Sequence, residues 1–129
     1  ARGLEEMQGT GFPGRDLPFW IAAAKRVMTL SSNARIVFDY DMKIAEPFAR
    51  IDPSAAQVDM WPALDALDGK PALIVRGALS DLLGEQTLST MLERLPQAES
   101  VTIANIGHAP TLCEPEAFAA IERLLAKVD

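Results

Sequence analysis

The chain has 129 residues, 49% of them hydrophobic, which gives length and apolar content enough for one domain with a real core and argues against disorder. It carries 18 acidic against 12 basic residues, a net charge of −6, and no basic cluster to neutralise phosphates, which argues against nucleic acid as a partner. A single cysteine, Cys113, excludes an internal disulfide framework and suits a reducing compartment, and no apolar run approaches the ~18 residues of a membrane span. With no hydrophobic core of a signal peptide near the N-terminus, a soluble cytoplasmic protein is the expectation.

Residues 1–15 are polar and hold four glycines (Gly3, Gly9, Gly11 and Gly14), so they read as loop. Asp16 can cap a helix that tolerates Pro18 in its first turn and sets Trp20, Ala23, Ala24 and Val27 on one face. That helix should end near Ser31-Ser32-Asn33. Ile36-Val37-Phe38 reads as a short strand or a buried turn. Asp41 can cap a short helix with Ile44, Phe48 and Ile51 on one side, which Pro47 would disturb. Residues 53–58 read as loop. From Asp59 onward, Met60, Trp61, Leu64 and Leu67 make an amphipathic helix closed by Gly69 and Pro71. Residues 1–69 thus read as a mainly helical segment, either an all-α subdomain or a lid that lines a pocket.

The second segment, residues 70–129, differs in character. Ala72-Leu73-Ile74-Val75 is continuously apolar, as in a strand buried on both faces of a parallel sheet. Leu88, Met91, Leu92 and Leu95 form a helical stripe, residues 101–106 a second strand, and Glu114-Pro115-Glu116 opens a last helix. The core face of that helix is expected to be Phe118, Ile121, Leu125 and Val128. Strand, helix, strand, helix implies an α/β fold with parallel strands. Two such strands need neighbours along their edges, so the pattern predicts more sheet than this chain contains.

Ligands of open parallel sheets bind at the carboxyl ends of the strands. Asp81 follows the first predicted strand, and His108, the only histidine, follows the second. Imidazole titrates near neutrality and can relay a proton, while a carboxylate can fix its tautomer. Ser80 lies on the acid loop without a Gly-x-Ser-x-Gly turn and is not read as a nucleophile. Cys113, five residues past His108, reads as a small buried residue, with a Cys–His pair as the alternative. Asp39 and Asp41 read as capping or turn residues.

Pro71-Ala72-Leu73-Ile74-Val75-Arg76-Gly77 with Ala78-Leu79-Ser80-Asp81 resembles the acid-bearing strand and loop of α/β hydrolases. Asn105-Ile106-Gly107-His108-Ala109-Pro110, followed by Glu114-Pro115-Glu116, resembles their histidine loop and final helix. The match covers residues 59–129, and the earlier segment is similar in kind to the family's cap. The resemblance implies the C-terminal part of the family's parallel sheet preceded by a mainly helical cap. It also implies that Asp81 orients His108, which serves as general base and acid.

No nucleophile elbow or oxyanion-hole loop occurs in the chain. The family pattern then implies that both come from an N-terminal half, as a separate polypeptide, and that this chain does not turn over alone. Trp20, Phe38, Phe48 and Trp61, with Leu82 beside the acid, are candidates to line an apolar pocket for a small ester-like substrate. The activity expected is that of a carboxylic-ester hydrolase. Other bond types (epoxide, carbon–halogen, carbon–carbon) or a ligand-binding member without turnover are the alternatives. With no metal-ligand cluster or phosphate-cradling loop, no metal or other cofactor is expected.

Overall fold

In the computed structural model, which describes residues 2–50 and 58–128, the chain divides into two units. The first consists of Ala1–Gly9 with Gly14–Val58, the second of Thr10–Pro13 with Asp59–Asp129.

The first unit opens on a helix, not on the expected loop. Arg2–Gln8 (α1) is made almost wholly of good helix formers, and it buries Leu4, only 1% exposed. Asp16 caps the next helix, Leu17–Val27 (α2): its Oδ1 accepts from Phe19 N–H at 3.1 Å, with proline in the first turn. That helix stops earlier than its apolar pattern suggests. Met28 turns to extended backbone, and Met28–Leu30 (β1) pairs antiparallel with Ile36–Phe38 (β2), in the register Met28↔Phe38 and Leu30↔Ile36. A helical reading fails here because Thr29, Ile36, Val37 and Phe38 are β-branched or aromatic and lie either side of a tight turn.

The turn is closed by Ser31 N–H to Arg35 O at 2.8 Å and Ala34 N–H to Ser31 O at 2.9 Å, and it puts Ala34 at φ 58°. Asp41 caps a 3-10 turn, Met42–Ala45, by accepting from Lys43 N–H at 2.9 Å. A four-residue helix, Glu46–Ala49 (α3), follows with Pro47 in its first turn. Proline therefore splits the expected helix into two short pieces. Ile51 and most of the expected 53–58 loop lie outside the described residues.

The second unit keeps to the sequence pattern more closely. Trp61–Asp65 (α4) begins where Asp59 Oδ1 accepts from Trp61 N–H at 3.0 Å, and its exit turn reaches Gly69 at φ +72°. Leu73–Gly77 (β3) pairs parallel with Glu99–Ile103 (β4), in the register Leu73↔Glu99 to Gly77↔Ile103. Glu85–Arg94 (α5) connects them and Pro115–Leu125 (α6) closes the unit. Arg94 anchors α5 to α4: Nε and Nη2 donate to Asp65 Oδ1 and Oδ2 at 2.8 and 2.5 Å, and the guanidinium lies 5.2 Å from the centre of the Trp61 ring. The hydrogen bonds from Arg94 hold the exposed Asp65 carboxyl below its ordinary range.

The core of this unit is Ile103, Ile106 and Ala117, with Phe12, Val75 and Val101 packed against it. Strand β4 starts and ends earlier than expected, because Asn105 at φ 56° turns the chain out of the sheet before Ile106. The buried face of α6 also differs from the expected one. Ala117 and Ala120 are fully buried, with Ile121 and Leu124 partly so, whereas Phe118, Leu125 and Val128 are 55–57% exposed. Small side chains let the helix approach the strands, and the stripe at i, i+3, i+4 and i+7 starts one residue earlier than large apolar side chains suggest. Among the described residues no helix is long and apolar enough to cross a membrane.

A left-handed backbone costs an L-residue roughly 1–2 kcal/mol and glycine almost nothing, less the greater freedom glycine loses on folding. Ala34→Gly should therefore stabilise the hairpin by on the order of 0.5–1 kcal/mol, read as a higher urea midpoint with unchanged slope.

Candidate active site

Two loops leave the carboxyl ends of β3 and β4, residues 78–84 and 104–114, and main-chain contacts join them. Ala78 N–H donates to Ile103 O and Leu79 N–H to Ile106 O, both at 2.8 Å, extending the parallel ladder beyond the strands. The approach is possible because two positions carry no side chain. A Cβ on Gly77 would lie 1.9 Å from Gly107 O and 2.4 Å from Ile106 O. A Cβ on Gly107 would lie 2.6 Å from Gly11 Cα, and Gly107 N–H donates to Gly11 O at 2.6 Å. A short piece of the N-terminal region thus belongs to the histidine loop.

The first loop is organised from beneath by a buried cation. Arg76, 6% exposed, donates from Nε to Leu83 O at 2.7 Å and from Nη2 to Ala78 O at 3.4 Å, so its guanidinium spans the loop. Its approach to Glu85 at 3.9 Å adds little, since Glu85 is 88% exposed. Ser80 ties the same loop from within. Its N–H donates to Gly77 O at 3.0 Å, and its Oγ accepts from Leu82 N–H at 3.3 Å and Leu83 N–H at 2.9 Å.

The second loop has its own buried ionisable group. Glu114, 8% exposed, accepts at Oε1 from Thr111 N–H at 3.1 Å and from Thr111 Oγ at 2.9 Å. Burial pushes its carboxyl up. Hydrogen bonds from its own N–H, the Thr111 hydroxyl, and the Thr111 and Leu112 N–H groups outweigh that and hold it below the ordinary value. This clamp closes around Leu112, whose φ of 63° is unusual for a branched residue.

The loops bring together Ser80 and His108, with Ser80 Oγ 3.2 Å from His108 Nδ1. His108 is exposed. Asp81, the next residue after Ser80, is also exposed, and among the described residues its carboxylate makes no hydrogen bond to His108. Leu82, on the same loop, is 71% exposed. Trp61 sits on α4 beneath Arg94. Trp20, Phe38 and Phe48 belong to the first unit. Trp20 is 1% exposed and edge-on to Phe19, Phe38 is tilted against Tyr40 at 5.2 Å, and Phe48 is 70% exposed.

Cys113 is exposed, not buried as its type suggests, because it lies in the turn before α6. There its N–H donates to Thr111 Oγ at 3.3 Å. Asp41 acts as a cap, as its position implies. Among the described residues no group of three or more His, Cys, Asp and Glu side chains is placed to hold a metal.

Three residues shape these loops in ways not expected from the sequence. Ser80 had a legible signal, since Ser followed by Asp-Leu-Leu fits a hydroxyl that accepts N–H groups two and three residues on. Arg76, a cation ending an apolar strand, signals a buried partner such as loop carbonyls. Gly11 had none, because its partner lies near the other end of the chain.

This arrangement of strands, loops and last helix is that of the C-terminal portion of an α/β hydrolase. No family model matches the chain. It is 52% identical to an α/β hydrolase of Novosphingobium aromaticivorans, aligning over 98% of this chain and 44% of that one with a TM-score of 0.87. A Rickettsia typhi protein aligns over 98% of this chain and 41% of its own, at a TM-score of 0.75 and 19% identity, a likeness of fold alone. In sequence, 83 residues, 62% of this chain, are 39% identical to the 3-hydroxybutyrate-oligomer hydrolase of Cupriavidus necator. The chain spans 28% of that relative's length. Its fold is that of the α/β hydrolases.

Two consequences can be measured. Gly77→Ala must push backbone against backbone and should cost about 3 kcal/mol or more in unfolding free energy, read by denaturant titration. Glu114 binds its proton less readily folded than unfolded, so its contribution is complete above the ordinary glutamate pKa of about 4.3 and fades as pH falls through the lower folded value. Wild type should therefore lose more stability than Glu114→Gln on acidification from pH 6 to pH 3, read as a larger fall in the urea midpoint.

Proposed function

We propose that this chain is the C-terminal portion of a hydrolase, most simply a carboxylic-ester hydrolase, in which His108 carries the proton. The observation behind the reading is the meeting of two loops at the carboxyl ends of adjacent parallel strands, one bearing an imidazole and the other a carboxylate. The name of the Cupriavidus relative, whose substrate is an oligomer of a hydroxy acid, favours an ester as the bond cleaved.

In the proposed mechanism Nδ1–H of His108 faces the Asp81 carboxylate, which keeps the ring in that tautomer and stabilises the imidazolium. Nε2 then takes a proton from a serine hydroxyl, returns it to the leaving alcohol, and later activates water. The serine and the oxyanion-hole donors come from an N-terminal half outside this sequence, which also supplies neighbouring strands to the edges of β3 and β4. Leu82, on the acid loop, is the apolar group proposed for the acyl or leaving-group side. The single cysteine fits a cytoplasmic setting.

A fluorophosphonate probe tests the reading on the protein with both halves present. The serine should label in wild type, His108→Ala should abolish labelling, and Asp81→Asn should lower kcat/KM by on the order of 10⁴-fold. Labelling that persists in His108→Ala removes the histidine from the mechanism.

A further inference from the structure

The hydrogen bond at the His108 ring comes from a residue the proposed mechanism does not use. A serine hydroxyl has one proton to give and two lone pairs to receive. At Ser80 both lone pairs are engaged, by the N–H groups of Leu82 and Leu83. What remains is the O–H itself, so across the 3.2 Å to Nδ1 the serine donates and the nitrogen accepts. An accepting Nδ1 carries no proton, and the neutral ring therefore carries it on Nε2. In that tautomer Nε2 has no lone pair with which to take a proton from a nucleophile. General-base chemistry needs the other one, with Nδ1–H facing a carboxylate.

The hydroxyl is built into its place. Ser80 N–H is bonded to Gly77 O, the Leu83 that donates to Oγ is itself held at its carbonyl by buried Arg76, and the flanking Leu79 N–H is bonded to the histidine loop. Asp81 is adjacent in sequence and exposed, and among the described residues it has no hydrogen bond or ion pair.

We propose that Ser80 is a positioning residue for His108. It holds the ring in the Nε2–H tautomer, and the Asp81 carboxylate must replace it at Nδ1 before the ring can act as a base. The exchange balances without any other reactant. Nε2 releases its proton to water, Nδ1 takes one from water and gives it as a hydrogen bond to Asp81, and Ser80 keeps its own. The inference rests on the proposed function for the role of His108 as base, but the tautomer it assigns can be read without turnover.

The test is long-range ¹⁵N–¹H correlation on the ¹⁵N-labelled protein with both halves present, at a pH where the ring is neutral, with the ring signals assigned by their loss in His108→Gln. Wild type should show an unprotonated Nδ1 and a protonated Nε2. Ser80→Ala should raise the ratio of Nδ1–H to Nε2–H by about 5- to 10-fold, the weight of one hydrogen bond. Ser80→Thr, which keeps a hydroxyl, should behave as wild type, and adding Asp81→Asn to Ser80→Ala should cancel the rise. A protonated Nδ1 in wild type overturns the proposal whether or not the alanine variant folds, as does an unchanged ratio in Ser80→Ala. A rise that survives Asp81→Asn overturns the exchange of partners. A protein that shows the Ser80-dependent tautomer yet never takes the fluorophosphonate label sinks the ester-hydrolase reading and leaves this one standing.

Discussion

The candidate site depends on how closely two pieces of main chain approach each other. Gly77 ends one strand of the parallel pair, and the carbonyl of Gly107 occupies the space that any side chain on it would fill. Because the chains meet there, the ladder continues past the strands, through Ala78 to Ile103 and Leu79 to Ile106. The next step of the same zipper is a side-chain contact, Ser80 to His108. The order is set by the backbone: three successive residues of the first loop engage the end of β4, then the second loop, then the imidazole. A wider gap at Gly77 would carry the hydroxyl out of reach of the ring.

Each loop is also underpinned by a buried ionisable group that spends its hydrogen bonds on loop groups. Arg76 holds the carbonyls of the first loop, and Glu114 holds the donors of the second. Burying such groups is costly, and the bonds they form roughly offset that cost and do not add much net stability. Their value lies in geometry. A carbonyl held by a guanidinium and a threonine held by a carboxylate have few alternative conformations, so the two loops keep their relative placement although both lie at the surface.

The second unit was legible from the sequence to a greater degree than the first, and the reason is physical. Its strands are short apolar runs closed by glycine, and its helices carry stripes at helical spacing, so local pattern and final environment agree. The disagreement at α6 is instructive: the pattern of large side chains marks Phe118, yet the sheet takes Ala117 and Ala120 because only small residues let the helix come near. In the first unit the elements are so short that propensity has little length over which to act. Arg2–Gln8 was hidden by the glycines around it, and the β1–β2 hairpin by an apolar run that also suits a helix. At the site, the types of residue were readable, namely an acid and a histidine after successive strands. The partner at Nδ1 was not, because it depends on which of two adjacent side chains the loop turns toward the ring, and spacing alone does not determine that.

The division of the chain into units has a kinetic side. Thr10–Pro13 belongs to the second unit, where Phe12 lies against Ile103, Ile106 and Ala117, and Gly11 receives the N–H of Gly107. These partners lie far along the chain from Phe12 and are synthesised after it. Contacts between residues far apart in sequence must first close a long loop, and such contacts form late. On the ribosome, Phe12 must therefore wait without its final neighbours until the closing helix has emerged. The histidine loop meets its backing piece of main chain only once that separation has been closed, so it is set in place late.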